Sequence, residues 1–119
     1  KYEPLSKLRF YIRDGNYLKF REVISREDRE CLESKDEQGN SLLNLAVQCN
    51  ASDIARFLIE EGSEVNTQNI KFNTPLHYAL CHSNYKLANL LIYKKADEEL
   101  TNERGMTPWQ YANVNNWNN

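Results

Sequence analysis

The sequence has little glycine, little proline and no strong excess of either charge. With four glycines in 119 residues, it contains no G-x-S-x-G nucleophile elbow and no phosphate-cradling glycine loop, so the sequence signs of serine hydrolysis and nucleotide binding are missing. A net charge of −2 gives no general pull toward nucleic acid or an anionic membrane. No apolar run approaches the ~20 residues of a membrane-spanning helix, and no signal-peptide pattern opens the chain. Cysteine is sparse and odd in number: Cys31, Cys49 and Cys81 lack paired spacing and fit free thiols in a reducing compartment better than a disulfide framework. An intracellular, cytoplasmic location is therefore expected, with the nucleus also open to it. Asn50-Ala51-Ser52 satisfies the glycosylation pattern, but a three-residue match arises easily by chance. The chain begins at Lys1 rather than Met, as expected of a piece excised from something longer.

What is present is a globular composition, 40% hydrophobic and 27% charged. One domain over residues 1–119 is expected, able to bury roughly two thirds of the surface its unfolded form would expose.

The organising signal is a period. Thr74-Pro75-Leu76 reads as a helix start: a hydroxyl cap, then proline at the first helical position, where its missing N–H costs nothing, then an inward-facing apolar residue. Thr107-Pro108-Trp109 repeats it 33 residues later, and Ser41-Leu42-Leu43 precedes it by 33. Ala46, Ala79 and Ala112 share one register, as do Ile54 with Leu87, Leu58 with Leu91, and Ser63 with Ala96. Turn, helix and helix on a 33-residue period, with NTPLHYA at residues 73–79, resemble the ankyrin repeat family and its T-P-L-H-x-A signature. SLLNLA and MTPWQYA match more loosely, and residues 36 to 112 carry the strong resemblance.

The resemblance implies an all-α solenoid of about four stacked helix-turn-helix units with projecting β-turn fingers, near residues 1–35, 36–68, 69–101 and 102–119. The first unit is expected to be an irregular cap, with Ser6 capping its first helix, Leu8 facing inward and Gly15-Asn16 at its turn. REDRECLESKD would be a lengthened, charged loop. The fourth is incomplete: after MTPWQYA the chain runs into NVNNWNN, where no second helix is visible and Trp117 could fold back as an abbreviated cap.

No chemistry stands out. His77 occupies the family's histidine position, which implies a structural hydrogen bond between neighbouring loops; Asn44 and Gln110 fill the same place in the flanking units without metal affinity or acid–base capacity. Cys81, His82 and the more distant Cys49 make only a partial ligand set for zinc, which favours four ligands with close pairs. Neither metal nor cofactor is expected, and intrinsic enzyme activity is not.

Carboxylates at Glu60, Glu61, Glu64, Glu98 and Glu99 read as solvated helix ends. From Lys1 to Arg26, seven Lys or Arg face three Asp or Glu, a local excess of +4, so the two ends of the array differ in sign. Asn66 in EVN matches a position at which some ankyrin repeats are hydroxylated.

In ankyrin-like folds the first helices line a concave face and the turns project from it. Carried onto this chain, that surface comprises Leu45, Gln48, Cys49, Tyr78, Cys81, His82 and Tyr111 on inner helices, with Phe72 and Arg104 on fingers. Tyr78 and Tyr111, one period apart, are candidate binding anchors, with partial burial against neighbouring helices as the other reading. Phe72 stands where the neighbouring fingers carry Gly39 and Gly105, and is expected to be either tucked against a finger or exposed. The expected partner is another protein or peptide segment. Two alternatives are a regulatory or targeting domain of a larger enzyme or channel, and a structural tile of an assembly.

Overall fold

The computed structural model describes residues 2–115. Among them are seven α-helices, one 3₁₀ turn and no strand: α1 (Tyr2–Asp14), α2 (Tyr17–Ile24), the 3₁₀ turn (Arg29–Glu33), α3 (Leu42–Gln48), α4 (Ser52–Glu60), α5 (Pro75–Cys81), α6 (Tyr85–Tyr93) and α7 (Pro108–Val114). They form two layers. Inner helices α1, α3, α5 and α7 stack side by side, each of α3 and α5 packs against its own outer helix, α4 or α6, and α2 backs α1.

Local chemistry sets the inner helices. Ser41 Oγ accepts the Asn44 backbone N–H at 3.2 Å, and Thr107 Oγ1 accepts that of Gln110 at 3.3 Å, which satisfies donors the helix itself leaves open. Pro75 and Pro108 sit at helix starts. Seven-residue helices are marginal alone; these persist because they are enclosed, and every residue of α5 is buried. Between layers lie Leu43, Ile54, Leu58, Leu76, Leu87 and Leu91, all almost fully buried, so the register read from the period is the register of the core. At the N-terminal end Phe57 of α4 takes the edge-on rings of Phe20 and Tyr17 at centroid distances of 6.2 and 6.5 Å.

Two expectations about the first unit are corrected. Ser6 is no cap: α1 starts four residues earlier, at Tyr2. Pro4 falls in its first turn, where no intrahelical N–H is lost, and Leu5, Leu8 and Ile12 continue one helical stripe through Ser6. Leu8 is fully buried, as expected. Gly15 turns the chain at φ 73, and Asn16 Oδ1 caps α2 by accepting Lys19 N–H at 3.2 Å. REDRECLESKD is not simply a solvated loop: its centre winds into the 3₁₀ turn, and Leu32 is 6% exposed within the core. Trp117 lies outside the described residues.

Candidate functional site

The fingers are built by asparagine and aspartate. Asp36 Oδ1 accepts the N–H groups of Gln38 and Asn40, both at 2.9 Å; Asn69 Oδ1 accepts those of Lys71 and Asn73 at 3.0 and 3.1 Å; Asn102 Oδ1 accepts those of Arg104 and Met106 at 3.0 and 3.1 Å. Each finger is thus folded by one side chain at its base, an Asx turn. Amides then join fingers: Asn69 Nδ2 donates to Asn40 Oδ1 at 3.0 Å and Asn102 Nδ2 to Asn73 Oδ1 at 2.9 Å. Backbone bonds run beside them, Ile70 N–H to Gln38 O and Glu103 N–H to Lys71 O.

Sequence reasoning missed this ladder. Its signal was available: Asn40 and Asn73, and Asn69 and Asn102, each stand one period apart. The ladder also corrects the expectation for Tyr78, which is 3% exposed. Its hydroxyl accepts from Asn69 Nδ2 at 2.7 Å and Asn73 Nδ2 at 3.3 Å, because two buried amides need an acceptor that water cannot supply.

His77 is fully buried. Its Nδ1 accepts the Thr74 backbone N–H at 3.1 Å, with Thr74 Oγ1 at 2.9 Å, and its Nε2 lies 3.1 Å from Met106 O on the next finger. A backbone N–H only donates and a carbonyl only accepts, which requires the neutral tautomer with hydrogen on Nε2. Burial lowers the His77 pKa below its ordinary 6.5, against the bond to Met106. As pH falls, the unfolded chain therefore takes up this proton before the folded one. The stabilisation is complete above about pH 6.5 and is lost toward the lower folded value, at a slope of at most about 1.4 kcal/mol per pH unit. The melting temperature is expected to fall between about pH 7.5 and pH 5, and His77→Gln, which places the residue of Gln110 here, to flatten that part of the profile in thermal scans by circular dichroism.

Leu45, Gln48, Cys49 and Tyr78 are brought together. With Arg13, Asp36, Gln38, Ile70 and Lys71 they line a hollow of about 350 Å³ between the inner helices and the fingers. Leu45 and Tyr78 form its closed floor, Gln48 is half-buried and Cys49 is exposed. Burial raises the Cys49 thiol pKa, opposed by the Arg13 guanidinium. His82 Nε2 lies 2.8 Å from Gln48 O, joining the turn of one unit to that of the next, and Asn84 Nδ2 extends the joint to Asn50 Oδ1 at 2.9 Å.

Cys81 is the second correction. It is fully buried rather than open on the inner face, and desolvation pushes its thiol up to about 11. Tyr111 is half-buried, edge-on to His77 at 5.6 Å, and burial raises its phenol pKa. Phe72 is exposed rather than tucked, and Arg104 is exposed on the last finger. Asn66, offered as a modification position, bridges units: Oδ1 accepts Asp97 N–H at 2.8 Å and Nδ2 donates to Lys95 O at 3.4 Å. Among the described residues no three His, Cys, Asp or Glu side chains stand together as metal ligands, and no helix is long and apolar enough to cross a membrane.

Stacked helix pairs, zipped fingers and a concave groove define a helical repeat protein. Comparison with known families agrees: a model described as "Ankyrin repeats (many copies)" matches residues 29–79 and one described as "Ankyrin repeat" matches residues 71–103. The chain belongs to the ankyrin repeat family, whose repeats generally serve as protein-binding modules. Similar curated proteins include an ADP-ribosylation factor GTPase-activating protein of Arabidopsis thaliana, 30% identical over 88 residues, covering 74% of this chain and 11% of that protein. The NF-kappa-B inhibitor cactus of Drosophila melanogaster is 33% identical over 88 residues, covering 71% of this chain and 18% of its own length. The human transient receptor potential cation channel subfamily A member 1 is 32% identical over 88 residues, covering 72% and 8%. The chain thus spans less than a fifth of the length of these relatives.

Proposed function

We propose that residues 1–119 form one non-catalytic interaction domain that holds a segment of another protein along the concave groove and its fingertips. The observation that carries this reading is the second finger. Ile70 and Phe72 are 56% and 53% exposed, and Phe72 holds φ 63, where Gly39 and Gly105 hold φ 76 and 75 in the neighbouring fingers. A side chain in that region costs about 1–2 kcal/mol, and such strain clusters where binding uses the displayed group. Gln48, Cys49, His82, Arg104 and Tyr111 complete the surface, over the floor of Leu45 and Tyr78. Free cysteines support an intracellular setting, cytoplasmic or nuclear.

The test is affinity capture from lysate with the wild-type chain beside Ile70→Asp/Phe72→Gly, read by quantitative mass spectrometry. Retained partners are expected to be lost with the double variant, even though Phe72→Gly alone should raise stability by about 1 kcal/mol by relieving the backbone. Equal capture by both would sink the groove reading. A second reading, a regulatory or targeting array within a larger enzyme or channel, is supported by the GTPase-activating and channel relatives, of which this chain matches a small part.

A further inference from the structure

We propose that the N-terminal half of the concave groove recognises an acidic polypeptide segment; this rests on the groove reading above and names its partner's chemistry. Leu5, Arg9 and Arg13 follow one another at four-residue steps and so share a face of α1. They line a hollow of about 590 Å³ closed by Lys35, Asp36, Glu37 and Gln38 of the first finger. Arg13, Asp36 and Gln38 are also walls of the 350 Å³ hollow that continues to Lys71 on the second finger. The two hollows adjoin at these shared walls and together make the proposed channel.

Its charge runs against that of the molecule. Arg9, Arg13, Lys35 and Lys71 line it against two carboxylates, Asp36 and Glu37, in a chain of net charge −2. Asp36 Oδ1 is already engaged by the N–H groups of Gln38 and Asn40. Among the described residues none of the four cations forms an ion pair. Two ion pairs among the described residues, Arg26 with Glu22 at 3.6 Å and Arg29 with Glu61 at 3.3 Å, lie outside the channel, so neither neutralises the cations within it. Cations left unpaired in a concave wall focus their field into the channel and favour carboxylates arriving from outside. Leu5 and the exposed Ile70 stand toward its two ends, so the segment that fits best carries acidic residues flanked by apolar ones.

The probe is a fluorescein-labelled peptide of Asp and Glu flanked by Leu, about 15 residues long and so reaching about 50 Å when extended, longer than the 38 Å long axis of the molecule. Fluorescence anisotropy is read with the 119-residue chain. The peptide is expected to bind, and Arg13→Glu/Lys71→Glu to raise Kd at least about tenfold. Arg26→Glu should leave Kd unchanged. Added salt should weaken binding as the Debye length shrinks from about 10 Å at 0.1 M toward 3 Å at 1 M. Arg13→Gln/Lys71→Gln, with helicity checked by circular dichroism, covers the case in which reversal perturbs the fold. Equal binding of a Lys-rich peptide, no loss in either double variant, absence of binding, or equal binding of a single-stranded oligonucleotide would each overturn the proposal. If it falls while Ile70→Asp/Phe72→Gly still abolishes capture, the groove stands and only its acidic preference is lost.

Discussion

Asn69→Ala is expected to destabilise the protein by about 3–5 kcal/mol, the largest effect of any single polar substitution here. The side chain makes four hydrogen bonds while 6% exposed: two from finger backbone into Oδ1 and two from Nδ2, to Asn40 and to the Tyr78 hydroxyl. Alanine would strand the Asn73 N–H and Asn40 Oδ1 away from water, and each orphan costs about 1–3 kcal/mol. Asn102→Ala provides the comparison. It folds its own finger the same way and reaches Asn73 but holds no tyrosine, and its loss should be about half as large. Urea unfolding monitored by circular dichroism measures both; equal midpoints for Asn69→Ala and wild type would show that the ladder contributes nothing net.

The second large effect concerns Gly39. At φ 76 an L-residue is strained, and a Cβ there would sit 2.9 Å from Ile70 N and 3.2 Å from Asn69 Cα. Those atoms belong to the finger bond between Ile70 N–H and Gln38 O, so they cannot retreat without breaking it. Gly39→Ala should cost about 3 kcal/mol, combining backbone strain with the lost bond. Gly105 has the same φ but nothing within 4 Å of its Cβ position, and Gly105→Ala should cost only the strain, about 1 kcal/mol. Thermal midpoints of the pair separate close approach from conformation.

The central repeats could be read from the sequence because their instructions are local. A hydroxyl and a polar residue three positions on, with proline between them in two of the three copies, mark each start, and the copies at Ser41, Thr74 and Thr107 became α3, α5 and α7. The first helix carries no such instruction. Ser6 resembled a cap, but nothing before it stops the helix, which starts at Tyr2 and carries a stripe continuous with Leu8. The site was harder. Period alone put Tyr78 and Cys81 on an inner helix and could not say how far neighbouring helices and fingers close over them. Burial there is decided by how the folded unit closes: Asn69 and Asn73, on the same unit's own finger, draw the Tyr78 hydroxyl inward, while the finger pair Ile70 and Phe72, with no such partner, remains outside.

The units built on α3 and α5 are tied at three separated places: the fingers, through Ile70 and Gln38; the inner turns, through His82 and Gln48; and the outer loops, through Asn66 and Asp97. Three supports that do not lie on one line fix a body as the legs of a stool do, leaving it no axis about which to rock. Groove residues from successive units are thereby held at set distances, and the concave face acts as a gauge. On the proposed groove reading, a partner whose side chains match that spacing would dock without first straightening the surface, and one spaced differently by a residue would meet the gauge out of step.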